Sequence, residues 1–141
     1  MKTEFQTEIE INAPPDRVWG IMRDVERWHE WTPTVTSVRL MDQSLLAVGS
    51  QAFIRQPKLP PAKWRVSELD DAGRSFTWIS RGPGVRVVAS HGVKPIGGGS
   101  RATLSLGYTG LLAGLFASLT RQITERYLAI EAEGLKQRSE G

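Results

Sequence analysis

The stretch Thr109-Gly-Leu-Leu-Ala-Gly-Leu-Phe-Ala-Ser-Leu-Thr-Arg-Gln-Ile-Thr-Glu-Arg-Tyr-Leu-Ala-Ile130 decides the fold. Leu112, Phe116, Leu119, Ile123, Tyr127 and Ile130 recur every three or four residues, which predicts one apolar stripe on a helix of about 25 residues. Thr109 is the candidate cap for its start, and Gly134 or the polar tail from Lys136 for its end. Its most apolar run, 110–119, is about half the roughly 20 residues that a bilayer crossing needs. Such a helix has to bury its stripe on another layer.

The preceding residues supply that layer. Phe5-Gln-Thr-Glu-Ile-Glu-Ile11 alternates apolar and polar positions and predicts a strand with one buried face. Asn12-Ala-Pro-Pro-Asp16 ends it and opens a helix carrying Val18, Trp19 and Met22. Asp24 is placed to cap a second short helix, which Pro33 stops. Six more strands are expected near 35–40, 50–55, 64–69, 74–81, 85–95 and 100–108. Turn segments separate them at 42–50, 70–73, 82–84 and 97–99, with a proline-rich break at Gln56-Pro-Lys-Leu-Pro-Pro61. The expected fold class is α+β, a single domain over 1–141. An antiparallel sheet of about seven strands curves around the C-terminal helix, with two short helices after the first strand. A twisted sheet wrapped on a helix leaves room for a cavity between them.

Composition narrows the chemistry. The 141 residues contain no cysteine, so disulfides, thiolate metal sites and cysteine nucleophiles are excluded. The first residues lead straight into a polar alternating strand rather than a secretory signal, and a cytoplasmic location is expected. The net charge of +3 conceals a partition. Residues 1–42 hold five basic and eight acidic side chains, 43–124 ten and three, and 125–141 three and four. The basic residues never form a run of three, so solvated strand faces explain them and nucleic acid is not an expected partner. An acidic partner or a peripheral membrane contact is the competing reading. His29 and His91, far apart and without a carboxylate cluster, do not make a metal site, and no cofactor is expected. Gly97-Gly-Gly99 joins two strands and lacks a following Lys, so it is a turn rather than a phosphate loop.

Five of eleven aromatic residues are Trp. Trp19 reads as core. Trp28 and Trp31 cannot both face inward from one short helix, so one is expected at a cavity mouth. The candidate cavity set is Trp31, Phe53, Trp64, Phe76, Trp78, His91, Tyr108, Leu112, Leu115, Phe116 and Leu119. His91 shares strand parity with Val87, Ala89 and Val93; facing a cavity, it would be a ligand donor or a general base. The bland alternative is a histidine satisfied inside the core or facing solvent. Segment 76–108 contains no carboxylate, so the groups left to polarise a carbonyl are Arg81, Arg86, His91, Arg101 and Tyr108. Leu111, Leu112, Leu115, Phe116 and Leu119 cover more than one helix face, as a cavity wall, a membrane-touching gate or a dimer contact would. Monomer and homodimer both stay open.

Three strings carry a family resemblance: Ile9-Glu-Ile-Asn-Ala-Pro-Pro-Asp-Arg-Val-Trp19, Asp24-Val-Glu-Arg-Trp-His-Glu-Trp-Thr-Pro33 and His91-Gly-Val-Lys-Pro-Ile-Gly-Gly-Gly-Ser-Arg-Ala-Thr103. With the layout above, they resemble the START-like superfamily of polyketide cyclases, lipid-transfer domains and plant pollen-allergen proteins, over essentially the whole chain. The resemblance implies a helix-grip fold. It also implies a small hydrophobic ligand (lipid, polyketide-like or aromatic) between the sheet and the last helix. A binding or transport protein is the first expectation; a cyclase or dehydratase using His91 and nearby Arg or Tyr is the alternative.

Overall fold

The computed structural model describes residues 2–41 and 45–141; Met1 and part of the expected 42–50 turn lie outside the described residues. The chain runs β1 (Glu4–Ile11), α1 (Pro15–Arg23), a 3₁₀ helix (Val25–Glu30), β2 (Ser37–Leu40), β3 (Gln51–Arg55), β4 (Ala62–Asp70), β5 (Ser75–Gly82), β6 (Val85–Ile96), β7 (Gly99–Thr109) and α2 (Ala113–Glu140). The seven strands form one antiparallel sheet in the order β1-β7-β6-β5-β4-β3-β2. This is the α+β helix-grip arrangement expected from the sequence.

Pro14 and Pro15 act as foreseen. Pro15 opens α1, where a missing N–H costs nothing, and α1 buries Val18, Trp19 and Met22. The 3₁₀ helix then turns Trp28 inward, and its indole N–H donates to the Met22 carbonyl at 2.8 Å. α1 and the 3₁₀ helix thereby close one end of the layer between sheet and α2. Trp19, Trp28, Phe76, Trp78 and His91 fill that end, with ring centroids 4.2–6.3 Å apart.

α2 departs from the sequence reading in three ways. It begins at Ala113, because Thr109 bonds with Arg86 instead of capping and the Leu112 N–H donates to Gly84 at 2.8 Å. It runs for 28 residues, straight through Gly134. Its buried stripe is Ala113, Ala117, Thr124, Leu128, Ala132, Leu135 and Ser139, rotated from the one expected. Gly134 stands inside the helix because a Cβ there would overlap the Trp31 carbonyl oxygen. At the C-terminal end Arg17 donates to the carbonyls of Ser139 (2.6 Å) and Gly141 (3.0 Å), satisfying acceptors that the helix leaves open.

Candidate functional site

Register decides what each inward side chain meets. Ser80, Val87 and Tyr108 lie side by side on β5, β6 and β7; two residues further along come Trp78, Ala89 and Leu106, and then Phe76, His91 and Leu104. The last row lies at the end closed by Trp28. The first row lies beneath the N-terminal half of α2, where no short helix intervenes. There a cavity of about 300 Å³ opens between the layers. Its apolar walls are Ala62, Trp64, Val87 and Leu106 from the sheet, Phe116, Ile123 and Leu128 from α2, and Leu59 and Pro60 from the β3–β4 loop. The volume is at the small end of the roughly 300–1,000 Å³ typical of small-molecule sites. A larger depression of about 640 Å³ beside β1 has Lys2 and Glu4 in its lining and is not enclosed between the layers.

Polar groups stand at two places in the cavity. Tyr108, Thr120 and Thr124 form one group. The Thr120 hydroxyl donates to the Phe116 carbonyl (2.7 Å), so the Tyr108 hydroxyl donates to Thr120 Oγ1 (2.7 Å) and accepts from the Thr124 hydroxyl. Thr124 Oγ1 lies 3.2 Å from the same phenol oxygen. Glu131 is the centre of the other group. The Thr34 hydroxyl donates to Glu131 Oε2 at 2.8 Å, and Thr32 Oγ1 lies 2.9 Å from Thr34 Oγ1. Burial pushes the Glu131 carboxyl up to about 7, against the pull of the Thr34 bond. Between the two groups the Tyr127 hydroxyl donates to the Pro57 carbonyl and ties α2 to the β3–β4 loop. Burial, and the charge of Glu131, hold that phenol above its ordinary value. Trp64 lines the cavity with its ring, and its Nε1–H has no acceptor among the described residues.

Of the expected cavity residues, Trp64, Tyr108 and Phe116 line it. The other eight stand elsewhere, for definite reasons. Phe53 alternates with buried Ala52 and Ile54 and so faces the other side of the sheet, beneath the Arg55 guanidinium. Phe76 and Trp78 are buried beneath the short helices. Trp31 packs on Trp28 and against α2 at Gly134, outside the cavity. His91 faces inward, as its parity implied, but lies four residues along β6 from Val87 in the closed end. Its ring stacks on Phe76 at 4.2 Å, and its Nδ1–H donates to the Phe76 carbonyl at 3.3 Å. Burial holds it down to about 4, so at neutral pH it is an uncharged core residue. Arg81 and Arg86 are exposed, and Arg101 pairs with Glu10 on the strand surface.

Leu115 and Leu119 lie on the solvent side of α2, with Leu119 73% exposed, and Leu112, just before the helix, sits over Gly84. The double substitution Leu115→Lys, Leu119→Lys is therefore expected to change the unfolding free energy by no more than about 0.5 kcal/mol per site. Urea unfolding checks this; a loss of several kcal/mol would return these leucines to the core.

Glu131, Thr120, Thr124 and Gln56 are cavity residues that the sequence reading missed. A signal was present: Phe116, Thr120, Ile123, Tyr127 and Glu131 follow one another at spacings of three and four. Among the described residues no group of three His, Asp or Glu is placed to hold a metal ion, and no helix is long and apolar enough to cross a membrane.

The architecture recurs in solved structures. TTHA0849 from Thermus thermophilus superposes with a TM-score of 0.77 at 22% identity, covering 96% of each chain. The Zhui aromatase/cyclase from Streptomyces sp. R1128 gives 0.79 at 15% identity, covering 97% of this chain and 93% of its own. Ara h 8.0201 gives 0.66 at 14% identity, covering 94% and 97%. At such identities the likeness speaks to the fold alone. A search of curated protein sequences finds no match. The sequence itself matches one family along nearly its whole length, residues 2–140, and the chain belongs to that family: polyketide cyclase / dehydrase and lipid transport.

Proposed function

We propose that this protein binds a small, largely apolar molecule between the sheet and α2, as a carrier or binding protein. The observation that carries this reading is the cavity of about 300 Å³, apolar on both layers and bearing a few convergent polar groups. Its size suits a compact aromatic or a short acyl compound better than a two-chain lipid. Native mass spectrometry of gently purified protein tests the reading directly, with a panel of small aromatics and acyl compounds added in turn. Ala62→Trp is expected to fill the cavity and weaken binding tenfold or more, about 1.4 kcal/mol, while the melting temperature holds. An absence of any apolar ligand, bound or accepted, counts against the proposal; so does binding that Ala62→Trp leaves intact.

The second reading, a cyclase or dehydratase, is favoured by one observation. Tyr108, alone of the five groups expected to polarise a carbonyl, lines the cavity. His91 as its base would have to act across the intervening row of Trp78, Ala89 and Leu106. Turnover lost on Tyr108→Phe, with binding retained, would favour the enzyme.

A further inference from the structure

We propose that the cavity selects an uncharged ligand whose carbonyl oxygen lies against Glu131, and that it turns carboxylates away; this rests on the binding reading above. Three features carry it.

The first is what the lining lacks. The chain holds 18 Lys and Arg and two His, yet none of them lines the cavity. Among the described residues, the ionisable side chains that share it with Glu131 are Tyr108 from β7 and Tyr127 from α2 itself. The β4, β5 and β6 walls and the Gln56–Pro60 stretch contribute none. Lys58, in the same loop, lines instead an adjoining surface depression with Arg126, on the far side of Ile123 and Tyr127, which line both. A bound carboxylate would thus be buried without a counter-ion and would face another carboxyl group, which is costly.

The second feature is the direction of the hydrogen bonds that reach Glu131. The Thr34 N–H donates to Thr32 Oγ1 (3.3 Å), the Thr32 hydroxyl to Thr34 Oγ1 (2.9 Å), and the Thr34 hydroxyl to Glu131 Oε2 (2.8 Å). Each bond points toward the carboxyl, so Oε2 is served as an acceptor. Oε1 has no partner among the described residues and is not sealed off. When the carboxyl is protonated, the hydrogen sits on Oε1 and can be donated to a ligand acceptor.

The third feature is the protonation balance. With no cation in the cavity and a carboxyl held up to about 7, Glu131 is a donor below neutrality and only an acceptor above it. A ketone oxygen should therefore be bound more tightly on the acid side.

Two probes with equal numbers of non-hydrogen atoms, 2-acetonaphthone and 2-naphthoate, test this by calorimetric titration at pH 6 and pH 8. The ketone is expected to bind at least about tenfold more tightly than the carboxylate at both pH values. Its affinity should fall about fivefold from pH 6 to pH 8 in the wild type and stay level in Glu131→Gln, whose amide donates at either pH. Ala62→Trp should weaken the binding of the ketone tenfold or more. If 2-naphthoate binds as well as the ketone, charge selection is overturned while the binding reading stands, whether or not Glu131→Gln folds. A ketone affinity equally flat in wild type and Glu131→Gln removes Glu131 from recognition. If neither probe binds, or if Ala62→Trp binds them as tightly as the wild type, this inference and the binding reading fall together.

Discussion

Gly134→Ala is expected to lower the unfolding free energy by about 3 kcal/mol or more and the melting temperature by roughly 10 °C. The sign is opposite to helix propensity, by which Ala in a helix interior gains about 1 kcal/mol over Gly. Space decides the contest. A Cβ at 134 would overlap the Trp31 carbonyl oxygen, and both partners are backbone, so no rotamer change relieves it. Either α2 lifts away from Trp31 or the end of the 3₁₀ helix is displaced. Glu131 is three residues before Gly134 and Thr34 three after Trp31, so the same shift pulls on their 2.8 Å hydrogen bond. Gly20→Ala is the matched control. Gly20 is exposed in α1 with nothing within 4 Å of an added Cβ, and the same exchange there should stabilise by about 0.5–1 kcal/mol. Thermal and urea unfolding of the two variants checks the pair. A Gly134→Ala protein as stable as the wild type would mean that α2 and Trp31 are not in contact.

That glycine also shows where sequence reading stops. In a helical pattern near a polar tail, Gly134 looked like a terminator, since nothing local reports a carbonyl from residue 31 arriving at position 134. The strands and turns were legible because alternation and Pro or Gly placement are local signals, and all seven strands follow from them. The inward parity of His91 was legible for the same reason. Its position along the strand was not, because that depends on which end of the sheet the two short helices cover. The face of α2 was misread for a more instructive reason. Hydrophobic periodicity finds core, and the exposed Leu112 and Leu119 drew part of the stripe toward solvent, while its Phe116, Ile123 and Tyr127 line the cavity. The face over the cavity carries Thr120, Thr124 and Glu131 amid Phe116, Ile123 and Leu128, and is less apolar because it borders an open space rather than a packed neighbour.

Between pH 7 and pH 4.5 the stability of the wild type is expected to fall relative to that of a His91→Phe variant by a difference on the order of 3 kcal/mol. His91 is only 8% exposed, and burial holds its folded value down to about 4 while the unfolded chain titrates near the ordinary 6.5. As the pH falls through that interval, the unfolded chain takes up a proton that the folded protein refuses. The contribution is therefore complete above 6.5 and lost toward 4. Glu131 acts with the opposite sign. Its folded value is raised to about 7 from 4.5, so its contribution is complete below 4.5 and lost as the pH rises through 7. Over the shared interval the two slopes oppose each other, and only variants separate them: Glu131→Gln should steepen the acid loss and His91→Phe should flatten it. Urea unfolding at pH 7, 5.5 and 4.5 reads the slopes directly; parallel losses in wild type and His91→Phe would show that His91 is not held neutral by its aromatic neighbours. The same variant bears on chemistry. Phe keeps the stack on Phe76 and removes the only ring nitrogens in that cluster besides the indoles of Trp19, Trp28 and Trp78. Ligand affinity unchanged in His91→Phe would place the work of the site on Tyr108 and Glu131.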